Sequence, residues 1–270
     1  MSLDALDSSY TLAEDAAKQS SLQIPSLKLT AEKLALVIPA LCEAQNLPGL
    51  LDRARAALDP HGICYEIIVV DDDSCDGTAE IVSAIALKDP RVRLLVRQGE
   101  RGLSGAILFG WRHCDATVLG VMDADLQHPP ELLPALISSV LAGHDLVIGS
   151  RYAVGGQLGN WNPVRKLLSA AAVWFTLPIQ QAGIRAKDPM SGFFLIRRQC
   201  VEGILFQPSG FKLLLEVLVR CHIRSVAEIP FAFGLRHCGT SKASFRVGWD
   251  YAKLLVRLYI ERFIFRWRRV

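Results

Sequence analysis

Apolar residues in this chain fall into short, nearly continuous runs separated by stretches of helical spacing. The runs at 34–38, 65–70, 92–96, 118–122 and 145–148 are too uniform for half-exposed strands and fit strands buried on both faces. Between them, 46–58 (Leu47, Leu50, Leu51, Ala54, Leu58), 79–87, 106–114 and 131–141 carry apolar residues at helical intervals. Strands alternating with helices predict an α/β fold whose mostly parallel sheet is covered on both faces. After Gly149 the rhythm loosens into a glycine-rich loop at 155–160, a helix at 163–177, a strand at 193–196, a helix at 211–221 and a strand at 227–233. From 244 onward Phe245, Trp249, Ala252, Val256, Tyr259, Ile260, Phe263 and Trp267 make one helical stripe, with Arg246, Asp250, Lys253, Arg257 and Glu261 opposite. Such a helix either docks on the sheet or lies in a membrane interface. The organisation expected is a polar leader at 1–32, one α/β unit at 33–243 and a basic amphipathic helix at 244–270. The leader lacks the basic-then-apolar pattern of a secretory signal.

Two of the apolar runs end abruptly in carboxylates. The run 118–122 stops at Asp123-Ala124-Asp125, followed by Leu126-Gln127-His128-Pro129-Pro130. Carboxylates at the C-terminal end of a parallel strand face the crevice where open α/β sheets bind ligands. Two acids so close repel each other unless a cation lies between them. An oxygen-rich site with open positions for phosphate suits Mg²⁺ or Mn²⁺. The plainer alternative is a solvated pair that helps to cap the next helix. The run 65–70 ends at Asp71-Asp72-Asp73-Ser74, where carboxylates can accept hydrogen bonds from a nucleobase or ribose while Asp76 or Ser74 caps a helix. Arg151, Arg165, Arg236 and Lys242 stand at turns or helix starts, where cations suit phosphate. No Gly-x-Gly-x-x-Gly and no P-loop occurs, which argues against a Rossmann dehydrogenase and a P-loop NTPase. Ser191 lies in Met-Ser-Gly-Phe, outside any nucleophile elbow, so no serine triad is read.

Composition changes this picture in two places. The net charge of +3 is too small to imply nucleic acid, yet 242–270 holds eight basic residues against two acidic ones. A basic, apolar tail suits an anionic surface such as a membrane. The seven cysteines are scattered without a Cys-x-x-Cys, which argues for a reducing compartment and against a zinc site. No uncharged apolar run reaches the ~18 residues that a membrane span needs.

Six short motifs then occur in order: Pro39-Ala40-Leu41-Cys42-Glu43, Val70-Asp71-Asp72-Asp73-Ser74 with Asp76-Gly77-Thr78, Met122 through Pro130, Gly149-Ser150-Arg151-Tyr152, Asp188-Pro189-Met190-Ser191-Gly192-Phe193-Phe194, and Gly239-Thr240-Ser241-Lys242. Together they resemble family 2 glycosyltransferases of the dolichol-phosphate (polyprenyl-phosphate) mannosyltransferase type. The resemblance implies a glycosyltransferase-A (Rossmann-like) fold. It also implies inverting, metal-dependent transfer of mannose from GDP-mannose to a polyprenyl phosphate at the cytosolic membrane face. By the matching positions, Pro39, Glu43, Asp71 and Asp72 would hold the nucleotide and Asp123 would meet the donor. Asp125 with Gln127 would hold Mg²⁺ or Mn²⁺. Arg151, Arg165 and Ser169 would receive the acceptor phosphate, Arg236 and Lys242 would clamp phosphates, and Asp188 would lie near the sugar. The implied partners are a nucleotide-sugar donor, the lipid acceptor and a membrane surface, with room for a membrane-protein partner and none for nucleic acid. Ala40-Leu41-Cys42 departs from the Pro-Thr-Tyr-Asn-Glu usual in the family. A UDP-sugar hexosyltransferase and a non-catalytic membrane-docking protein therefore stand as the alternatives.

Overall fold

The computed structural model describes residues 32–157, 163–181, 183–207, 212–234 and 245–267. Most of the leader, and with it any structure at 1–31, lies outside the described residues. Seven strands form one sheet: β1 (Lys33–Ala40), β2 (Cys64–Asp71), β3 (Val92–Val96), β4 (Val118–Val121), β5 (Leu146–Ser150), β6 (Phe194–Arg197) and β7 (Val226–Pro230). Their spatial order is β3-β2-β1-β4-β6-β5-β7. The chain runs outward from β1 to β3 and then returns to β4 on the other side of β1. That reversal is the topological switch point, and its crevice opens at the C-terminal ends of β1, β2 and β4.

Alternation along the strands supplies two cores. Leu34, Leu36 and Ile38 of β1 pack with α1 (Leu47–Leu58) and α4 (Leu133–Leu141) on one face. Ala35 and Val37 face α3 (Leu103–Arg112) and α6 (Leu213–Arg220) on the other. Burial on both faces is why β1, β2, β4 and β5 read as unbroken apolar runs, whereas β3, expected to be buried in the same way, is an edge strand that is only half-buried beyond Val92. α2 (Thr78–Ala86) follows β2 and adds Val82 to the first core. Helix α4 begins at Leu133 rather than at 131, because Pro130–Leu132 forms a 3₁₀ turn first. The sequence suggests that Pro39 ends the first strand, yet β1 continues through it to Ala40. β4 stops pairing with β1 at Val37, so at Pro39 the strand has a ladder neighbour on one side only and the missing N–H is tolerated.

The one reversed strand positions the site. β6 runs antiparallel between β4 and β5, with Phe194 opposite both Val121 and Ile148. An antiparallel strand starts where its neighbours end. The turn Asp188–Gly192 that precedes β6 is therefore carried to the C-terminal edge, beside Asp123 and Arg151.

α5 (Pro163–Trp174) and α7 (Phe245–Trp267) pack together outside the sheet. The Tyr251 hydroxyl donates to the Ala172 carbonyl at 2.6 Å, and Tyr259 to the Phe175 carbonyl at 2.8 Å. Leu254 and Leu258 are buried against Ile179 and Leu215. Arg257 pairs with Glu216, and Arg220 with Glu261 at 2.7 Å. Part of the helix face expected to meet solvent is thus the docked one, while Trp249 (58% exposed), Val256 (59%), Ile260 and Phe263 of the apolar stripe point outward. The helix docks on the domain and still presents an apolar face.

Helix α3 approaches the sheet so closely that a Cβ on Gly110 would lie 2.7 Å from Val37 Cγ1. Gly110→Ala gains about 1 kcal/mol of helix propensity but overpacks a core in which Val37 is fully buried, at a cost of about 1–3 kcal/mol. The expected outcome is a lower denaturant midpoint with an unchanged slope; a raised midpoint would contradict this packing.

Candidate active site

The crevice at the switch point is built from three strand ends. At the β1 and β2 ends, two loops are fastened side by side. The Cys42 amide donates to Ser74 Oγ at 2.8 Å, the Glu43 amide to Thr78 Oγ1 at 3.1 Å and the Ala44 amide to Asp76 Oδ2 at 3.1 Å. Asp71, buried, accepts from the amide and hydroxyl of Ser74. Asp76 is one residue short of the cap position, which Gly77 takes at φ 88°; Asp76 bonds instead to the Thr78 amide and hydroxyl. Burial opposes its charge, but these hydrogen bonds outweigh burial and hold its carboxyl below the ordinary value. Glu43 accepts from Asn46 Nδ2 at 2.7 Å, and Pro39 lies buried within β1.

Asp72 has a partner that the sequence marks only faintly. Arg97, just past β3, grips it through Nε (2.7 Å) and Nη2 (2.8 Å), with the side chains 6% and 5% exposed. The Gly102 amide donates to the same carboxylate at 2.8 Å. Gly105 leaves room for the guanidinium, since a Cβ there would fall 2.7 Å from Arg97 Nη1. Asp72 therefore ties β2 to the loop that opens α3, whatever else it touches. The signal was faint: one more charged residue at a strand end.

At the β4 end, Leu126 takes a left-handed conformation (φ 60°), and the Gln127 amide folds back onto Asp125 Oδ1 at 3.2 Å. The Gln127 side chain donates Nε2 to the Gly234 carbonyl at 3.1 Å, and the Gly234 amide donates to the Gln127 carbonyl at 3.1 Å. That leaves Oε1 of Gln127 as the acceptor end of the amide, while the buried Asp125 carboxylate accepts from the backbone amide of the same residue. Two hard oxygen donors of this kind fit Mg²⁺ or Mn²⁺ that takes its remaining ligands from a diphosphate and water. Among the described residues no group of three or more His, Cys, Asp or Glu could hold a metal by itself. Asp123 lies against Gly192, where a Cβ would sit 2.5 Å from Asp123 Oδ2. His128 is enclosed by Phe193, Phe231 and Phe233, with ring centroids 5.3–5.8 Å away. Burial drives its pKa down to about 4, so near neutral pH it is uncharged, and its 3.7 Å approach to Asp123 is no ion pair.

The third part is a clasp between Arg151 and Asp188. Asp188 is fully buried and accepts Arg151 Nε and Nη2 at 2.8 Å each and the Arg151 amide at 3.0 Å. Burial alone would lower the guanidinium pKa, but the Asp188 hydrogen bonds and charge outweigh it and hold it above the ordinary value. Glu228 of β7 accepts the Lys187 and Asp188 amides at 3.0 Å each, and the Ser191 hydroxyl donates to the Gly149 carbonyl at 2.7 Å. Ser191 is thus a structural clip. Phe233 lies 5.3 Å from the Arg151 guanidinium. The Tyr152 hydroxyl donates to Ser169 Oγ at 2.7 Å, which draws α5 to the same edge. Arg165 stands on the first turn of α5, but its side chain lies outside the described residues, as do Arg236, Lys242 and positions 158–160 of the glycine-rich loop. The described part of that loop is fixed, because Gln157 pairs with 231–233.

A mostly parallel sheet with carboxylates at its switch point is the architecture of the glycosyltransferase-A class. In the solved structures, glucosyl-3-phosphoglycerate synthase of Mycobacterium tuberculosis superposes with a TM-score of 0.63 at 19% identity, covering 90% of this chain and 85% of that one. Mannosyl-3-phosphoglycerate synthase of Rubrobacter xylanophilus gives 0.63 at 20%, covering 91% and 76%. At such identities the likeness concerns the fold. The family described as Glycosyl transferase family 2 matches residues 35–205, and the chain belongs to it. Dolichol-phosphate mannosyltransferase of Pyrococcus furiosus is 43% identical over 227 residues, 84% of this chain and 63% of that protein, so the chain spans less than two thirds of that relative. The protein of the same name from Saccharomyces cerevisiae is 38% identical over 239 residues, 85% of this chain and 88% of the other.

Two variants test this geometry. Asp72→Asn removes the buried charge partner of Arg97 and leaves only the exposed Glu100 at 3.3 Å, which is expected to cost about 3–5 kcal/mol in chemical denaturation; a loss under about 1 kcal/mol would contradict a structural role for the pair. Gly192→Ala displaces the Asp123 carboxylate but no backbone, so it should cut transferase turnover by an order of magnitude or more while the melting temperature stays within a few degrees. Full turnover in that variant would show that the Asp123 position is not demanding.

Proposed function

We propose that this protein transfers a hexose, foremost mannose from GDP-mannose, to the phosphate of a polyprenyl lipid, with inversion at the anomeric carbon and at the cytosolic face of a membrane. The observation that carries the reading is the Arg151–Asp188 clasp beside Asp123 and Asp125: a fixed cation for one phosphate next to carboxylates suited to a sugar nucleotide. The relatives named dolichol-phosphate mannosyltransferase support the sugar and the acceptor class.

On this reading Pro39, Glu43, Asp71 and Asp72 line the nucleotide side and Asp123 orients the sugar. Arg151, Arg165 and Ser169 receive the acceptor phosphate, and Arg236 and Lys242 add charge from the 235–244 segment. Asp188 acts through Arg151: its fully buried carboxylate fixes the guanidinium before substrate arrives. The acceptor phosphate is already anionic, so its oxygen attacks the anomeric carbon without a general base. The bond to the diphosphate breaks, and the nucleoside diphosphate leaves with the electron pair. Bound by Asp125 and Gln127, a divalent cation supplies positive charge for that leaving group. The neutral His128 takes no part in proton transfer.

The membrane reading rests on the outward apolar faces of α5 and α7. Leu167 (72% exposed) and Trp174 (66%) stand on α5, and Trp249, Ile260 and Phe263 on α7. Arg257, Arg262 and Arg266 lie on the same helix, and Arg268 and Arg269 follow it in the sequence. Aromatic and aliphatic side chains flanked by arginine suit a headgroup boundary. No described helix is long and apolar enough to cross a membrane.

A donor screen with a short polyprenyl phosphate, with and without Mn²⁺, tests the chemistry. Mannosyl lipid from GDP-mannose is expected, and Asp125→Ala should reduce it by at least ~10²-fold. Product from UDP-glucose instead would favour the UDP-sugar alternative, and full activity in Asp125→Ala would remove Asp125 from the metal site. The double variant Trp249→Asp/Ile260→Asp should lose co-sedimentation with phosphatidylglycerol vesicles while its circular dichroism is unchanged; undiminished sedimentation would rule out the α7 face.

A further inference from the structure

Lys212 precedes α6 directly, and its ammonium reaches the turn that leads into β6. Among the described residues its ammonium makes one hydrogen bond, to the Met190 carbonyl at 3.4 Å. That length is at the weak end of the range. An ammonium carries three donors, so two are left without a described protein acceptor. Met190 belongs to the same turn as Asp188 and Gly192, the turn that holds Arg151 and touches Asp123. Burial lowers the lysine pKa from its ordinary value, and the nearby positive charge of Arg151 lowers it further. Asp123 and Asp188 act in the opposite direction. Lys212 thus lies close enough to Arg151, Asp123 and Asp188 to feel their charges.

Two cations so placed repel each other unless an anion joins them. Asp188 does not serve Lys212 in this way, because its carboxylate is held in two-point contact by Arg151. We infer that Lys212 binds the acceptor's phosphate monoester, with its ammonium and the Arg151 guanidinium converging on the same anion. The inference rests on the transferase reading above. The groups around Lys212 are those after β4 and β5 and in the turn before β6. Asp123 is given to the donor sugar, whereas Arg151 with Asp188 forms the acceptor clasp; the turn that Lys212 bonds is the one that holds Arg151, and this favours the acceptor's phosphate over the donor's diphosphate. In the transfer step Lys212 donates hydrogen bonds to non-bridging phosphate oxygens and gives up no proton. A remaining phosphate oxygen forms the bond to the anomeric carbon as the bond to the nucleoside diphosphate breaks.

The test uses Lys212→Met and Lys212→Arg in the full chain, with initial rates against short polyprenyl phosphate and against GDP-mannose, and GDP-mannose affinity by calorimetry. Lys212→Met is expected to lose about 30-fold or more in kcat/KM for the acceptor. Nucleotide-sugar affinity should stay within about threefold, and Lys212→Arg should recover part of the loss. An acceptor kcat/KM near that of the unsubstituted protein would overturn the inference. So would an equal fall in nucleotide-sugar affinity, which would move Lys212 to the donor's diphosphate. If the unsubstituted protein transfers no sugar, the transferase reading fails by itself. Calorimetric binding of citronellyl phosphate, compared between the unsubstituted protein and Lys212→Met, then decides the inference without turnover, and equal affinities would refute it.

Discussion

The buried pair Arg151–Asp188 couples the end of β5 to the turn that enters β6, two segments 37 residues apart. A guanidinium in so enclosed a place is tolerable only with a carboxylate in two-point contact. Much of the local architecture serves that pairing. Glu228 on β7 holds the Asp188 backbone, Ser191 clips the turn to Gly149, and the reversed β6 brings the turn to the right edge of the sheet. Gly192 then passes against Asp123 with no space for a side chain. The cation-bearing and carboxylate-bearing halves of the crevice are thus parts of one rigid edge.

A second buried pair, Asp72–Arg97, does the corresponding work on the other side. It joins β2 to the loop before α3 and so fixes the wall next to Asp71. Both pairs hold charge that the fold has already desolvated. Preorganised charge of this kind is what a reaction between two anions requires, because little solvent reorganisation remains for the reacting moment. The neutral His128, packed among three phenylalanines, adds shape to this edge rather than charge.

Much of this was legible in the sequence. Uniform apolar runs announced strands buried on both faces, and the carboxylates that broke two of those runs marked the crevice, because charge can follow a buried strand only where the chain leaves the core. What escaped was tertiary. Arg97 and Lys212 are single basic residues whose meaning comes from segments far away in the chain. Gly192 matters through the atom it lacks. For helix α7 the sequence leaves docking and a membrane interface both open, because a helical wheel separates apolar from polar positions but cannot say which face is docked. Leu254 and Leu258 took the inner place, and Arg257 and Glu261 followed them into ion pairs. Pro39 failed as a strand terminator because its neighbour strand ended first.

In the proposed reaction the acceptor phosphate is the nucleophile. Its most direct test is the stoichiometry of nucleoside diphosphate released to lipid-linked sugar phosphodiester formed, followed together by phosphorus NMR. The account predicts equal amounts of the two, and no release without the lipid phosphate. Release of nucleoside diphosphate that is independent of the lipid phosphate, or release with free sugar as the product, would contradict it.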